Sequence, residues 1–313
     1  MNPRRLRTCL VVGAGVMGHS IAQVFAQAHI DVNLVDVDEG NLKHAMTLIQ
    51  ANLDQFADYG RVPVKEIPEI IGRIRPSTDL AAAAKDAGFC VEVVSEKPEI
   101  KQEVFSQLDE FCPPNTILAS NTSTLNIFKI AHIKRPDRLV CAHWFAPAHI
   151  IPLVEIAPGP NTKPEAVIFT AALMQRIGKK PLVLKQFVPA LLVNRIQNAI
   201  ARAVWEMLEK GWATPEQIDL AVKSSLGIRL PIVGVVQSLD FTGLDLAADI
   251  MRVYGAVSPV VAQKVEQGLL GAKTSKGMYD YGSRSEQEIL AKRDRQYLKM
   301  LEHLERIQAF DPI

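Results

Sequence analysis

The sequence predicts an α/β protein with an N-terminal doubly wound parallel sheet and a C-terminal domain made only of helices. Short apolar runs alternate with helical patterns up to about residue 187, as in βαβ units, and no strand signal follows. A glycine-rich turn joins the first apolar run to the first helical pattern. We therefore expect an α/β domain over residues 1–187 and a helical domain over residues 188–313.

The strands expected in the first domain are short and almost wholly apolar. They cover residues 9–12, 32–35, 74–75, 89–94, 117–120, 139–142, 153–156 and 182–184. Apolar residues at helical spacing predict the intervening helices over residues 16–28, 39–59, 99–111 and 163–177. This alternation of strands and helices is typical of a parallel sheet covered on both faces.

The second domain is predicted to contain helices over residues 188–210, 244–254, 259–267 and 285–307, with another beginning after Thr214. Thr214 with Gln217, and Ser285 with Glu288, have the spacing of N-terminal capping boxes. The helices are rich in apolar residues, which indicates a domain that can associate with a second copy of itself.

Composition and charge exclude several classes of protein. Of the 313 residues, 48% are hydrophobic and 22% are charged, as in an ordinary globular chain. A net charge of +1 offers no field that would attract nucleic acid or an anionic membrane. The apolar stretch after the basic N-terminus carries too many glycines and polar residues for a signal peptide, and no run is long enough to span a bilayer. We expect a soluble, cytoplasmic protein.

The four cysteines lack the spacing of a metal site or a redox pair. They are Cys9, Cys90, Cys112 and Cys141. Three lie in or beside apolar runs, so we expect buried free thiols and no bound metal.

The glycine-rich turn has the GxGxxG pattern of a dinucleotide site. It consists of Gly13, Ala14, Gly15, Val16, Met17 and Gly18. In this pattern Gly13 allows a tight turn, Gly15 lets a pyrophosphate approach the backbone, and Gly18 lets helix and strand pack closely. The following helix would direct its free amides and positive dipole end at the phosphates. The alternative is that these glycines only form a close turn.

Asp36, at the end of the second strand, supports the binding interpretation. It follows Gly18 by 18 residues, where a carboxylate accepts hydrogen bonds from the adenosine ribose. Asp38 and Glu39 come next and would repel a 2′-phosphate. The sequence therefore predicts a Rossmann-type domain that binds NAD rather than NADP, with FAD a more distant choice.

His143 and Glu155 form the candidate acid–base pair. His143 follows an apolar strand, and Glu155 interrupts the next one, 12 residues later. Adjacent strands joined across Pro147 would bring the two side chains together. An imidazole oriented by a carboxylate can accept the proton of an alcohol while hydride leaves for a nicotinamide. The alternative for His143 is a core histidine with satisfied hydrogen bonds.

Six segments together resemble the 3-hydroxyacyl-CoA dehydrogenase family, including its 3-hydroxybutyryl-CoA dehydrogenase and lambda-crystallin (gulonate 3-dehydrogenase) branches. The segments are GAGVMGHSIAQ from residue 13, EVVSE (92–96) continuing to Lys101, SNTSTL (120–125), HWFAPAHIIPLVEI (143–156), VPALLVNR (188–195) and KTSKGMYDY (273–281). They occur in the family's order and extend to about residue 281.

The resemblance implies a role for each matching residue. His143 would be the catalytic base and Glu155 its orienting partner. Ser123 would bind the substrate oxygen at C3, and Asn194 would contact the substrate from across a cleft. On the cofactor side the resemblance implies contacts from Glu96, Lys101, Asn121 and Lys273. It also implies a homodimer formed through the helical domain.

Several positions depart from the family pattern, among them Val235, where the family has Pro, and the stretch Gln237-Ser238-Leu239-Asp240, where it has Glu-Leu-Leu-Asp. Ala146 stands where the family has Asn, and Ala190 and Leu191 stand where it has Gly and Phe. We expect these residues to form an altered substrate wall.

The function implied is NAD-dependent oxidation of a 3-hydroxyacyl-CoA to the 3-ketoacyl-CoA. One alternative is the same chemistry on a small non-CoA hydroxy acid or aromatic alcohol, as in gulonate or carnitine dehydrogenases. The other is a non-catalytic, crystallin-like NAD-binding protein.

Overall fold

The computed structural model describes residues 2–311, which divide into two compact units, one up to Ala199 and one from Ile200 onward. The first unit contains an eight-stranded sheet with the order β3-β2-β1-β4-β5-β6-β7-β8. Its strands are β1 Thr8–Val12, β2 Asp31–Val35, β3 Ile74–Ser77, β4 Phe89–Glu92, β5 Ile117–Ser120, β6 Leu139–Trp144, β7 Leu153–Pro158 and β8 Lys180–Val183. All eight predicted strands are present.

The sheet is parallel from β3 to β6, in the strand order 3-2-1-4-5-6 of dinucleotide-binding folds. β7 then runs antiparallel to β6, and β8 runs parallel to β7. The predicted doubly wound, Rossmann-type sheet is thus confirmed.

The central strands β1, β4 and β5 are buried and mostly apolar because helices cover both faces of the sheet. In β1, Cys9 and Val11 pack into one apolar cluster, whereas Leu10 and Val12 pack into another. Since successive strand residues point to opposite faces, each face of the sheet has its own core. The helices that supply these cores are α1 Gly18–Gln27, α2 Glu39–Asp58, α3 Ile67–Gly72, α4 Leu80–Ala84, α5 Pro98–Phe111, α6 Ile127–Ile130 and α7 Pro164–Arg176.

The helix predicted over residues 188–210 is present, but its predicted beginning is wrong. α8 spans Val193–Glu209 because Ala190 and Leu191 adopt left-handed backbone conformations, with φ of 62° and 51°. A right-handed helix cannot pass through two such residues.

The second unit is helical, as predicted. Its helices are α9 Pro215–Ala221, α10 Gly227–Thr242, α11 Leu244–Tyr254, α12 Pro259–Glu266 and α13 Glu286–Arg306. The predicted capping boxes are present at the beginnings of α9 and α13. α10 was not among the predicted helices, because it contains Pro231 and is interrupted by Gly234 at a φ of 66°.

A buried carboxylate organises the turn between α12 and α13. Asp240 is 1% exposed and accepts hydrogen bonds from the amides of Met278 (2.8 Å) and Tyr279 (2.9 Å) and from the Tyr281 hydroxyl (3.0 Å). This carboxylate therefore fixes the end of the segment that carries Lys273.

All four cysteines are buried and free, as expected. Within residues 2–311, no helix is both long and apolar enough to cross a membrane. In the same range, no three His, Cys, Asp or Glu side chains gather as a metal site requires.

Candidate active site

The glycine turn after β1 is tight at two positions and open at the third. Gly13 has a φ of 109°, and its amide donates to the Val35 carbonyl over 2.7 Å. A Cβ on Gly18 would lie 1.7 Å from the Gly13 carbonyl oxygen, so only glycine allows α1 to pack so closely. A Cβ on Gly15, by contrast, would meet no atom within 4 Å. The open side of Gly15 is where an anion can approach the backbone.

The N-terminus of α1 is free to interact with that anion. No side chain caps Met17, and the first turn contains no acidic residue. Val16, in the turn, is 76% exposed. Uncapped amides and the helix dipole favour a phosphate at this position.

Asp36 is held beside the same turn. Its Oδ2 accepts the Ala14 amide over 2.8 Å, and its Oδ1 accepts from the Asp38 amide and the Asn41 side chain, each over 3.1 Å. Oδ2, which accepts one of these bonds, keeps acceptor capacity for a ribose hydroxyl. The open glycine turn, the uncapped helix and the fixed carboxylate fit a bound NAD.

His143 and Glu155 lie directly opposite each other on β6 and β7. β6 extends two residues beyond its predicted end, and this extension places His143 within the pairing. Nδ1 of His143 lies 3.0 Å from Oε2 of Glu155, and the two residues are only 3% and 0% exposed. The antiparallel register thus creates a buried imidazole–carboxylate pair.

The other oxygen of Glu155 is bound by backbone amides at the beginning of α8. Oε1 accepts from Leu192 over 3.0 Å and from Val193 over 2.9 Å. Burial acts to raise the pKa of Glu155, but the hydrogen bonds from His143 and from these amides outweigh it and lower the pKa below its usual value. Glu155 is therefore a buried, charged acceptor.

Ser123 completes a chain of three side chains. Its Oγ lies 3.2 Å from Nε2 of His143. A charged Glu155 requires a donor, so a neutral His143 ring carries its proton on Nδ1 and leaves Nε2 as an acceptor. Nε2 is then the atom available to take a proton from a substrate.

Glu96 holds the loop that carries Ser123. Its Oε1 accepts the amides of Ser123 and Thr124, each over 3.0 Å, and the Thr122 hydroxyl over 2.5 Å. Burial acts to raise the pKa of Glu96, but these donors and the nearby Lys101 lower it to about 2. The loop is thus organised around one carboxylate charge.

Lys101 is a fully enclosed cation with three acceptors. At 1% exposure, its Nζ lies 2.7 Å from Glu92, 3.2 Å from Glu96 and 3.4 Å from the Val94 carbonyl. These contacts use the three protons of an ammonium group. A contact from Lys101 to the cofactor stays a prediction; the geometry favours an indirect role through Glu96.

The remaining predicted site residues lie in different surroundings. Asn121 accepts the Trp144 amide with its side-chain oxygen over 2.7 Å. Asn194 lies in the first turn of α8, next to Val193. Lys273 lies in the second unit, where its amine contacts Asp245 over 2.6 Å.

The expected substrate wall needs one correction. Ala146 is exposed, but Leu191 is 0% exposed and packs with Cys141 and Ala157 in a small core. Its backbone is left-handed, and its side chain is enclosed by this core instead of lining a cleft. Leu191 therefore forms no part of a substrate-facing surface.

Sequence reasoning missed two groups that support the site. Glu92, which is fully buried, binds Lys101 and accepts the Ser120 hydroxyl over 2.6 Å. The sequence does carry a signal for Glu92, because it lies within the apolar run 89–94, just as Glu155 lies within an apolar strand. The Leu192 and Val193 amides carry no side-chain signal.

Family models match both parts of the chain. The NAD binding domain of 3-hydroxyacyl-CoA dehydrogenase matches residues 8–187, and the C-terminal domain of 3-hydroxyacyl-CoA dehydrogenase matches residues 191–281. The chain belongs to the 3-hydroxyacyl-CoA dehydrogenase family. It is accordingly an NAD-dependent oxidoreductase that acts on a CH–OH group.

Individual relatives differ in the substrates that their names give. A probable 3-hydroxybutyryl-CoA dehydrogenase of Bacillus subtilis is 33% identical over 88% of this chain and 98% of its own length. The 5-formyl-3-hydroxy-2-methylpyridine 4-carboxylate 5-dehydrogenase of Mesorhizobium japonicum is 29% identical over 96% of this chain and 99% of its own. The crystal structure of a 3-hydroxyacyl-CoA dehydrogenase from Archaeoglobus fulgidus has a TM-score of 0.79 at 29% identity, and covers 96% of this chain and 99% of that one.

Two glycine variants separate cofactor binding from packing. Gly15→Ala should leave the thermal stability of the NAD-free protein unchanged, because its Cβ enters open space. It should weaken NAD binding at least about tenfold, or about 1.4 kcal/mol, because that space receives the pyrophosphate. Gly18→Ala should instead cost roughly 1–3 kcal/mol of stability through overpacking. Calorimetric NAD titration and thermal unfolding measure both effects; wild-type NAD affinity in Gly15→Ala would place the phosphates elsewhere.

The low pKa of Glu96 predicts a pH-dependent contribution to stability. A carboxyl whose pKa falls from 4.5 to about 2 on folding stabilises the protein above pH 4.5 and loses that contribution as the pH falls toward 2. Because the side chain is 37% exposed, we expect Glu96→Gln to cost no more than about 1 kcal/mol at pH 7.

Urea unfolding of wild type and Glu96→Gln between pH 3 and pH 7 measures this contribution. The difference should shrink steadily below pH 4.5. Glu103→Gln, on the exposed face of α5, is the control and should differ little from wild type at any pH. A Glu96→Gln difference that stays constant with pH would contradict a charged, loop-holding Glu96.

Proposed function

We propose that this enzyme oxidises a 3-hydroxyacyl-CoA of the 3-hydroxybutyryl-CoA type to the 3-ketoacyl-CoA, with His143 as the base. The observation that carries the proposal is the chain from Ser123 through His143 to Glu155, with distances of 3.2 and 3.0 Å. A site that only binds NAD has no need of an imidazole oriented in this way.

The chemistry proposed for these residues is a proton transfer. The C3 hydroxyl of the substrate donates to Nε2 of His143, which takes its proton, and the resulting imidazolium is stabilised by Glu155. The Ser123 hydroxyl binds the same substrate oxygen, and Asn194 contacts the substrate. A bound NAD would supply the acceptor for the hydride that leaves C3 as the alcohol becomes a ketone.

The cofactor site that we propose follows the predicted residues. The backbone from Gly13 to Gly18 binds the pyrophosphate, and Asp36 binds the adenosine ribose. As the family resemblance implies, we assign Glu96 and Lys101 to the nicotinamide side, with Lys101 acting through Glu96. We assign Asn121 and Lys273 as further cofactor contacts.

A second substrate class is the main alternative. The Mesorhizobium relative, whose name gives a pyridine carboxylate, aligns with almost all of this chain. Ala146 also lacks the amide that the family pattern has at its position. Both observations favour a small non-CoA hydroxy acid or aromatic alcohol as the competing substrate.

Acyl transfer is not favoured, although a Ser–His–Glu chain serves that chemistry elsewhere. Acyl transfer needs amides directed at a developing oxyanion. The amides of Ser123, Thr124 and Leu125 all donate to Glu96. This loop therefore has no such amide to offer, and Ser123 is better suited to binding an alcohol oxygen.

We also propose a homodimer formed through the helical domain. Large apolar side chains of that domain are exposed, including Trp205, Trp212, Val253 and Tyr254, each more than half accessible. Exposed apolar surface of this extent is typical of an interface. A solution mass of two chains, measured by light scattering, would support this assembly, and a mass of one would exclude it.

Removal of the imidazole tests the proposed mechanism. His143→Ala should lower kcat by about 10²–10⁴-fold, the range typical of general acid–base catalysis, with NAD affinity unchanged. His132→Ala removes an exposed histidine and is the matched control. Turnover is followed by NADH absorbance with 3-hydroxybutyryl-CoA. Near-wild-type turnover by His143→Ala would show that another group is the base.

A substrate panel tests the acyl-CoA assignment. Wild type should give its highest kcat/KM with 3-hydroxybutyryl-CoA, compared with free 3-hydroxybutyrate, gulonate, carnitine and a hydroxymethylpyridine carboxylate. A kcat/KM at least about tenfold higher with any of the four compounds that lack CoA would show that the substrate belongs to the non-CoA class. NAD binding without turnover of any CH–OH substrate would support the structural, crystallin-like alternative.

A further inference from the structure

The turn before α8 contains two residues in unfavourable backbone conformations. Ala190 and Leu191 have φ values of 62° and 51°, a left-handed conformation that is strained for residues other than glycine. Such conformations persist only where the surroundings hold them, and they concentrate at functional sites. This turn is therefore a place to look for a function.

Apolar packing of the Leu191 side chain stabilises the turn. Its side chain is 0% exposed and packs against Cys141 and Ala157, with Phe128, Leu184 and Phe187 around them. Cys141 and Ala157 are directly paired on β6 and β7. They lie two residues from His143 and Glu155, so both pairs occupy the same face of the sheet. The anchor thus lies next to the imidazole–carboxylate pair.

The left-handed turn also frees the two amides that bind Glu155. If the helix continued back to residue 188, the Leu192 and Val193 amides would donate to the carbonyls of Val188 and Pro189, four residues earlier. Because of the turn, α8 begins only at Val193, and both amides donate to Oε1 of Glu155 instead.

We propose that Ala190 and Leu191 are positioning residues for the base: Leu191 anchors a strained turn whose two following amides fix the Glu155 carboxylate, and through it the His143 ring. The inference rests on the proposed function, in which His143 takes the substrate proton. In this proposal the two residues act through Glu155 and do not themselves take part in the proton transfer.

Few other charges compete for Glu155. His143 is its ionisable partner on β6. On the same face, burial and then the charge of Glu155 raise the pKa of the Cys141 thiol, so this thiol stays neutral. The other charged groups that act on this thiol are Glu96, Glu92 and Lys101. Lys101 forms ion pairs with both carboxylates, so these charges partly cancel. Loss of the two amides therefore acts mainly on the His143–Glu155 pair.

Two pairs of variants test the turn. Ala190→Val places a β-branched residue where φ is positive and should displace the turn, whereas Ala190→Gly accepts this conformation without strain. Leu191→Ala removes the anchor, and Leu191→Met keeps most of it. Leu184→Ala, in the same apolar cluster but away from the amides, is the control for simple loss of packing.

The measurements are the pH dependence of kcat/KM for 3-hydroxybutyryl-CoA, the NAD affinity and the thermal stability. Ala190→Val and Leu191→Ala should lower kcat by about 10- to 100-fold, as small misplacements of catalytic groups do. Their acid limb, which in the proposed mechanism reports protonation of the base, should move to lower pH, because a misplaced Glu155 carboxylate stabilises the imidazolium less. Ala190→Gly, Leu191→Met and Leu184→Ala should keep the wild-type limb, and NAD affinity should not change in any variant.

Failure of this inference is distinguishable from failure of the proposed function. If His143→Ala abolishes turnover but Ala190→Val and Leu191→Ala keep the wild-type pH limb, the turn has no positioning role. If Leu184→Ala moves the limb as far as Leu191→Ala, general packing accounts for the effect. If His143→Ala is active, the proposed base itself is wrong. Should Leu191→Ala fail to fold, the comparison of Ala190→Val with Ala190→Gly decides the inference.

Discussion

The site depends on one constraint: the buried charge of Glu155 must be neutralised or solvated by the protein. An isolated carboxylate in an apolar sheet would be too costly to ionise. Here one oxygen binds an imidazole and the other binds two amides at the beginning of a helix. These contacts determine the His143 ring orientation, the end of the left-handed turn and the position where α8 begins.

Glu96, which is 37% exposed, is a second carboxylate whose charge is stabilised by backbone donors. Like Glu155, it gathers backbone amides from a loop, and it is further paired with the enclosed Lys101. Ser123 belongs to the loop that Glu96 holds, and His143 belongs to the pair that Glu155 holds. The 3.2 Å approach of Ser123 to His143 is thus fixed from both sides by carboxylates. We regard this as preorganisation of the two groups that we propose to bind the substrate oxygen.

Sequence patterns predicted the sheet and the glycine turn because both depend on local signals. Apolar runs set the strands, and GxGxxG requires glycine for steric reasons that the structure displays at Gly13 and Gly18. The turn at Ala190 and Leu191 could not be predicted, because neither residue type favours a left-handed backbone and the helical periodicity continues through them. Its stability comes from tertiary packing of Leu191, which also explains why a substrate-facing Leu191 was the wrong expectation.

The most direct test of this account is the protonation state of His143 itself. In protein labelled with ¹⁵N-histidine and free of substrate, long-range ¹H–¹⁵N correlation spectra distinguish the two ring nitrogens, and His143→Ala assigns the signal. At a pH where the ring is neutral, the account predicts a proton on Nδ1, facing Glu155, and a bare Nε2 facing Ser123. A neutral ring protonated on Nε2 would contradict it, because Glu155 would then lack its donor and Nε2 could not accept a proton.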